Sequence, residues 1–306
     1  MEMQTGKNVC TLCADLGGSR VKLAAVQDGK ILGSEIFDVS PTGAQGTLAL
    51  LADRARKLMA EHPGNWAGLG LASPGIVDEE ARRVVSCNAK HAGIEAIDLS
   101  AWARTTLGLD LKVVNDARAA LLGELAYGVA QGEKNAVLMI LGTGVGTSVV
   151  SQGHVLRGGH GTYSLLGGHF PIQFDGGRKC NCGGVGCLEA YVGTWGLKEL
   201  AGDPTYDYRR LEADWSRGDP KAVELFRVVS TALGAGALAL VHLYDAETVV
   251  FSGGVSRFAA LLAAAKEYVW RHAWTPWGKV KFLLAEQPEM SATLGLDALF
   301  TKGEWQ

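Results

Sequence analysis

The sequence predicts an α/β fold built twice, as two similar domains with a cleft between them. Short apolar runs alternate with runs of helical spacing along most of the 306 residues, the order expected where strands and helices take turns. A strand, tight glycine turn, strand, hairpin and strand near the N-terminus also recur 124 positions later, which sets Gly18-Ser19 on Gly142-Thr143 and Gly29 on Gly153. With 47% hydrophobic and 20% charged residues, the chain can bury more than one core. Its net charge of -3 gives no reason to expect nucleic acid or an anionic membrane as a partner.

Val9 to Asp15 is an apolar strand ending in an acid. Gly17-Gly18-Ser19 turns it, Arg20 to Val26 returns, and Asp28-Gly29 opens a hairpin into Lys30 to Ile36. Thr47 to Glu61 carries Leu, Ala and Met at helical spacing and stops before Pro63-Gly64. Leu69 to Ala72 is a strand entering the Ser73-Pro74-Gly75 turn. Ser100 to Leu107 is a helix closed by Gly108, Leu111 to Val114 a strand ending at Asn115-Asp116, and Ala117 to Tyr127 a helix stopped by Gly128. The second cycle runs from Val137 to Leu141 through Gly142-Thr143-Gly144-Val145-Gly146, a strand to Ser151, the Gln152-Gly153 turn and Val155-Leu156. After a cysteine-rich loop, Ala190 to Leu200 is helical, Gly202 to Gly218 is a polar connector, and Lys221 to Leu243 is a long helix. Thr248 to Phe251 is a strand entering Ser252-Gly253-Gly254-Val255, followed by helices from Phe258 to about Arg271 and from Ser291 to Phe300. The expected division is a first α/β domain over 1–116, with a terminal helix over 291–306 packing back on it, and a larger second domain over 117–290 that holds the cysteine loop.

The longest nearly apolar run, Val228 to Val241, is interrupted by Ser230, Thr231 and two glycines and reads as a buried helix, not a membrane span. The N-terminus lacks the basic-then-apolar pattern of a signal peptide, so a cytoplasmic protein is expected. In that compartment Cys10, Cys13 and Cys87 are most simply free thiols. Cys10 and Cys13 are spaced C-x-x-C, but positions three apart on a strand face opposite ways, which argues against a redox pair.

Three features carry chemistry. His169, Cys180, Cys182 and Cys187 have the residue types and spacing of one tetrahedral zinc site, closed by four protein ligands and therefore structural. The alternative is a set of small buried cysteines in a glycine-rich loop. Three glycine turns, each directly after an apolar strand, can cradle phosphates with backbone N–H groups: Asp15 to Arg20, Gly142 to Gly146, and Ser252 to Val255. None is a Walker loop or a dinucleotide fingerprint, and any one alone is as easily a hairpin. Asn115-Asp116 sits where a strand gives way to a helix, either as an active group or as a helix cap.

Together these motifs resemble the ROK family of bacterial sugar kinases and repressors, within the sugar kinase, heat-shock-70 and actin superfamily. Asp15 to Arg20 is similar to that family's D-x-G-G-T-K, Leu141 to Gly146 to L-G-T-G-V-G, and Asn115-Asp116-Ala117 with Gly123-Glu124 to N-D-A…G-E. Cys180 to Glu189 matches C-x-C-G-x-x-G-C-L-E, Gly168-His169 completes the zinc set, and Val249 to Val255 resembles the adenosine-binding turn. The resemblance implies two duplicated actin-like (ribonuclease H-like) domains and ATP-dependent phosphorylation of a hexose hydroxyl, in the manner of a glucokinase. Asp116 then matches the catalytic base, and Gly75, Asn88, Asn115, His169 and Glu189 match sugar contacts. Asp15 falls near Mg2+ bound with ATP. Gly17, Gly18, Ser19, Gly142, Thr143 and Gly144 surround the phosphates, and Gly253 and Gly254 line the adenosine. His169, Cys180, Cys182 and Cys187 hold a structural Zn2+. A homodimer is usual for the family. Its repressors carry a helix-turn-helix ahead of the first phosphate turn, for which the residues before Asp15 leave no room. One position departs from the pattern: family kinases read G-E-x-G-H before the zinc site, whereas Leu166 stands here in place of the acid. Two other readings are a kinase for an N-acetylated or otherwise modified hexose, and a sugar sensor without turnover.

Overall fold

The computed structural model describes residues 9–87 and 91–302. Asn88 lies outside them. In chain order the elements are β1 (Val9–Leu16), β2 (Arg20–Gln27), β3 (Lys30–Asp38), α1 (Ala44–Glu61), β4 (Asn65–Ser73), β5 (Ile76–Asp78), β6 (Arg83–Ser86), α2 (Leu99–Leu107), β7 (Leu111–Asn115) and α3 (Asp116–Ala126). There follow β8 (Ala136–Leu141), β9 (Val145–Ser151), β10 (His154–Val155), α4 (Glu189–Val192), α5 (Thr194–Ala201), α6 (Tyr208–Ser216), α7 (Pro220–Tyr244), β11 (Thr248–Ser252), α8 (Ala259–His272), β12 (Lys281–Leu284) and α9 (Ser291–Thr301). The chain divides into two compact units, one of Met1–Gln131, Arg157–Tyr163 and Met290–Gln306, the other of Gly132–Leu156 and Ser164–Glu289.

Each unit holds a five-stranded mixed sheet on the same plan: β3-β2-β1-β4-β7 in the first and β10-β9-β8-β11-β12 in the second. In both, the first strand pairs antiparallel with its hairpin partner on one side and parallel with a later strand on the other. The repeat in the sequence is thus a repeat of sheet topology. β1 and β8 are buried along nearly their whole length, as expected of central strands covered on both faces, and so read as unbroken apolar runs. Cys10 and Cys13 are both buried free thiols on β1.

The expected boundary at 116/117 moves to 131/132, because α3 packs on α9 within the first unit. The two helices touch backbone to backbone. A Cβ on Gly295 would lie 1.7 Å from the Ala119 carbonyl oxygen, and one on Gly123 would lie 2.0 Å from that of Ser291. Ser291 Oγ meets the buried Glu124 at 2.5 Å, and Glu124 also accepts from the Val129 N–H at 3.0 Å. The Gly123-Glu124 pair therefore serves this helix contact.

In the second unit α7 presents Leu225, Val229, Leu233, Ala237 and Leu240 to a core shared with β8, β11 and α8. By length and composition α7 could cross a membrane, but more than half of its most apolar window is buried inside the protein. Two expected elements differ. The stretch read as a polar connector holds α6, capped by Asp207 accepting from the Arg210 N–H, with Tyr208 and Leu211 alone buried; two apolar anchors in nine residues leave little periodic signal. The helix expected over 190–200 breaks at Gly193, where a Cβ would come within 2.9 Å of the Glu189 and Thr143 carbonyl oxygens.

Candidate active site and metal centre

In the first unit β1 delivers Asp15 to its C-terminal end, where the carboxylate pairs with Lys22 Nζ at 3.0 Å across the hairpin. The turn that follows closes tightly: a Cβ on Gly17 would sit 2.6 Å from the Arg20 carbonyl oxygen. Gly18 and Ser19 are exposed at its tip, so their backbone groups are open to an anion. Behind the turn the buried His91 donates from Nε2 to the Gly17 carbonyl at 3.1 Å, since a carbonyl only accepts.

β7 ends beside β4 with Asn115 level with Ser73. Asn115 is the N-cap of α3, its Oδ1 accepting from Ala117 N at 2.9 Å and Arg118 N at 3.2 Å. Its Nδ2 donates to the Gly75 carbonyl at 2.9 Å. Gly75 has φ 87°, and a Cβ there would lie 2.1 Å from the Ser86 carbonyl oxygen, so glycine is required where the chain enters the β5–β6 hairpin. Asp116 is the first residue of α3, half-buried, with one oxygen on the Ala117 N–H at 2.8 Å. The cap is Asn115, which leaves Asp116 as a carboxylate at a helix N-terminus with its orientation set by its neighbour.

In the second unit Gly142, Thr143 and Gly144 join β8 to β9, and Thr143 is exposed at the tip. Thr194, from N–H and Oγ1, holds the Gly142 carbonyl at 3.0 and 2.8 Å. Glu189 holds the other end, accepting from Val145 N at 2.9 Å and, on its second oxygen, from Trp195 Nε1 at 3.1 Å. A Cβ on Gly144 would lie 2.3 Å from Glu189 Oε2. The carboxylate thus packs directly on the glycine of the turn. At the end of β11, Gly253 (φ 88°) passes so close to β8 that a Cβ would lie 2.4 Å from the Leu141 carbonyl oxygen, while Gly254 stays open.

Glu189 begins α4 immediately after the cysteine loop. His169, Cys180, Cys182 and Cys187 converge there, their donor atoms all within 4.8 Å of one another. Cys182 Sγ and Cys187 Sγ are 3.7 Å apart, and Cys180 Sγ is 3.6 Å from His169 Nδ1. Ligands about 2.3 Å (S) and 2.0–2.1 Å (N) from a tetrahedral zinc would be separated by about 3.8 Å (S to S) and 3.6 Å (S to N). The donor set fits zinc in chemistry and spacing. Burial, with the neighbouring Cys182 and Cys180, pushes the Cys187 thiol up, and a bound metal ion would act in the opposite direction by favouring the thiolate. Leu166, three residues before His169, is half-exposed and sits between Ser164, held in a left-handed conformation (φ 71°), and the Gly167 N–H that donates to Thr147 Oγ1 at 2.9 Å.

Residues 11–303 match the ROK family. The chain belongs to the ROK family. A glucokinase of Halalkalibacterium halodurans is 28% identical over 95% of this chain and 92% of that protein. A ROK hexokinase from Thermus thermophilus, in its crystal structure, superimposes with a TM-score of 0.78 at 28% identity over 94% of this chain and 96% of that one. A ROK family glucokinase from Streptomyces griseus, solved with glucose and AMPPNP, gives a TM-score of 0.83 over 96% of this chain and 100% of that one at 24% identity. The ROK fold is therefore shared along nearly the whole length.

Within this ROK chain several site residues carry no motif of their own. Thr194 and Trp195 sit on α5 and hold the second turn, His91 holds the first, and Arg118 lies fully buried in the first turn of α3. The available signal for Arg118 is a lone basic residue in an alanine- and leucine-rich helix, flanked directly by Ala117 and Ala119.

Proposed function

We propose that this ROK chain transfers the terminal phosphoryl group of MgATP to a hydroxyl of a hexose, with Asp116 accepting the hydroxyl proton. The observation that carries this reading is the holding of Asp116: it opens α3 directly after Asn115, which caps the helix and is fixed in turn to Gly75, and its own carboxylate accepts from the Ala117 N–H, so the acid is held in a set orientation at a helix N-terminus. Phosphoryl transfer passes through a loose transition state, so placement of the hydroxyl and neutralisation of phosphate charge supply most of the catalysis. Gly17, Gly18, Ser19, Gly142, Thr143 and Gly144 offer backbone N–H groups and hydroxyls for the phosphates, and Gly253 and Gly254 a glycine surface for the adenosine. Mg2+ enters with ATP. Asp15 suits it as a hard oxygen donor, though an acid shared with Lys22 is a weak ligand, and the nucleotide's own oxygens would provide most of the coordination.

Zinc, held by His169, Cys180, Cys182 and Cys187, would cross-link the loop that leads into α4. With Nδ1 turned to the cluster, His169 keeps Nε2–H to donate to a sugar hydroxyl. A carboxylate has about four acceptor positions. Glu189 uses two on protein donors and keeps others for the sugar. Gly75, Asn88 and Asn115 complete the proposed sugar contacts. The same reading makes the chain a cytoplasmic homodimer with no nucleic-acid partner.

Leu166 favours a second substrate reading. A side chain that accepts no hydrogen bond, at the position where the family pattern has an acid, suits a sugar with a substituted or absent hydroxyl there, such as an N-acetylated hexose. A coupled ADP-release assay over glucose, mannose, fructose, allose and N-acetylhexosamines, with ATP or polyphosphate as donor, tests these readings. Sugar-dependent release with ATP is expected. Sugar binding with no release from either donor would instead make the chain a sensor.

A further inference from the structure

Arg118 is the largest fully buried side chain among the described residues, and it carries a charge. Its guanidinium bonds to Glu79 through Nη1 and to the Gly161 carbonyl at 2.8 Å through Nη2. Glu79 lies in the turn of the β5–β6 hairpin and takes a second cation, Arg157 Nε, at 3.6 Å on its other oxygen. Gly161 lies against the same hairpin, its Cβ position 3.1 Å from the Val77 carbonyl oxygen. The hairpin is therefore tied to the first turn of α3 at two places: Asn115 Nδ2 on Gly75 where the chain enters it, and Arg118 on Glu79 at its tip. Its far end leads at Cys87 into Asn88. An arginine buried this deeply costs folding free energy unless every contact is matched, and removing one partner leaves the charge exposed to a dry surrounding. Helix propensity does not call for an arginine here, since alanine ranks above it and leucine equals it without a charge to bury.

We infer that Arg118 and Glu79 are positioning residues for catalysis: their ion pair locks the β5–β6 hairpin and the 157–163 segment onto the helix turn that presents Asp116, so that hexose and base are held in one frame. This inference rests on the reading of Asp116 as the base. The bonds of the pair named above all go to the hairpin, the 157–163 segment and each other, so its loss should act on the sugar and the chemistry while sparing the nucleotide. A misplaced reacting group of about 1 Å can cost on the order of 100-fold in rate.

The test compares Glu79→Gln, Arg118→Lys and Asp116→Asn with wild type, measuring kcat, KM for the preferred hexose, KM for MgATP and the melting transition on each preparation. Glu79→Gln keeps shape at a half-buried turn and guards against Arg118→Lys failing to fold. The expected result is a fall in kcat of about ten- to 100-fold with a comparable rise in hexose KM, and MgATP KM within about two-fold of wild type. A lower melting temperature with both KM values unchanged would make the pair a structural clamp only and overturn the inference. So would unchanged kcat and hexose KM in both variants while Asp116→Asn collapses turnover. If Asp116→Asn itself keeps turnover, the base assignment fails first and this inference falls with it.

Discussion

The two glycine turns that follow β1 and β8 stand on the same sheet plan but are supported by different chemistry. After β1 the support named here comes from within the same unit, across the hairpin and from one distant histidine. Lys22 faces Asp15 across the same hairpin, and His91 donates one hydrogen bond to Gly17. After β8 the support comes from a separate element: Glu189 and Trp195 brace the Val145 side, Thr194 holds Gly142, and Glu189 directly follows a cluster of three cysteines and a histidine. The repeated sheet plan supplies the position of each turn, and the second turn takes added contacts from α4 and α5. Asp116 belongs to the first unit, directly after Asn115, which bonds Gly75, and two residues before the buried Arg118, which bonds Gly161.

The sharpest way to break this contrast is at Asp116. Asp116→Asn keeps shape and hydrogen-bonding length but cannot accept a proton, so kcat should fall by about 10²- to 10⁴-fold with the hexose dissociation constant nearly unchanged. Steady-state kinetics and calorimetry on one preparation check this, and turnover within a few-fold of wild type would reduce Asp116 to a helix-end residue.

Next comes the staple. Purified protein should carry about one zinc per chain, and Cys182→Ala should lose it, lower the melting temperature and weaken binding through the disordered start of α4. Metal analysis of protein prepared without chelators decides the point. Absence of zinc from the wild type would remove the distinction between the two turns.

Glu189→Gln tests the brace itself. One carboxylate oxygen becomes an NH2 facing an N–H donor, either that of Val145 or that of Trp195, and an unmatched buried donor costs about 1–3 kcal/mol. Denaturant unfolding should show that loss, with MgATP KM raised. Neither change would be expected if the turn were held by its own backbone alone.

The smallest expected effect is at Leu166. Leu166→Glu should shift kcat/KM toward unmodified glucose by about ten-fold, the worth of roughly one hydrogen bond to a charged acceptor. If glucose ranks first in the wild type and the ranking is unmoved by the substitution, Leu166 does not set specificity.

Much of this was legible in the sequence because it rests on local rules. A glycine that must take φ 87° at Gly75 or pass beside a neighbouring strand at Gly253 leaves its mark in one letter, and a metal cluster within a short loop leaves four. The paired use of Gly123 and Glu124 was not legible, because its partner Ser291 lies 167 residues on. Nor was the bracing of the second turn by Glu189: the motif marks the acid, but its bonds to Val145 and Trp195 depend on how α4 and α5 meet. The expected domain boundary after Asp116 missed for the same reason, since only the contact with α9 assigns α3 to the first unit. The short hairpin of β5 and β6 and the strand β12 lack the apolar alternation that would have announced them.

The central claim, that this ROK chain turns over a hexose and does not merely bind it, is tested most directly by measuring hexose phosphate and ADP together on zinc-containing wild-type protein whose hexose affinity has been determined by calorimetry. The account predicts sugar-dependent formation of both products in equal amounts. Saturable sugar binding with no hexose phosphate above the sugar-free blank would contradict it.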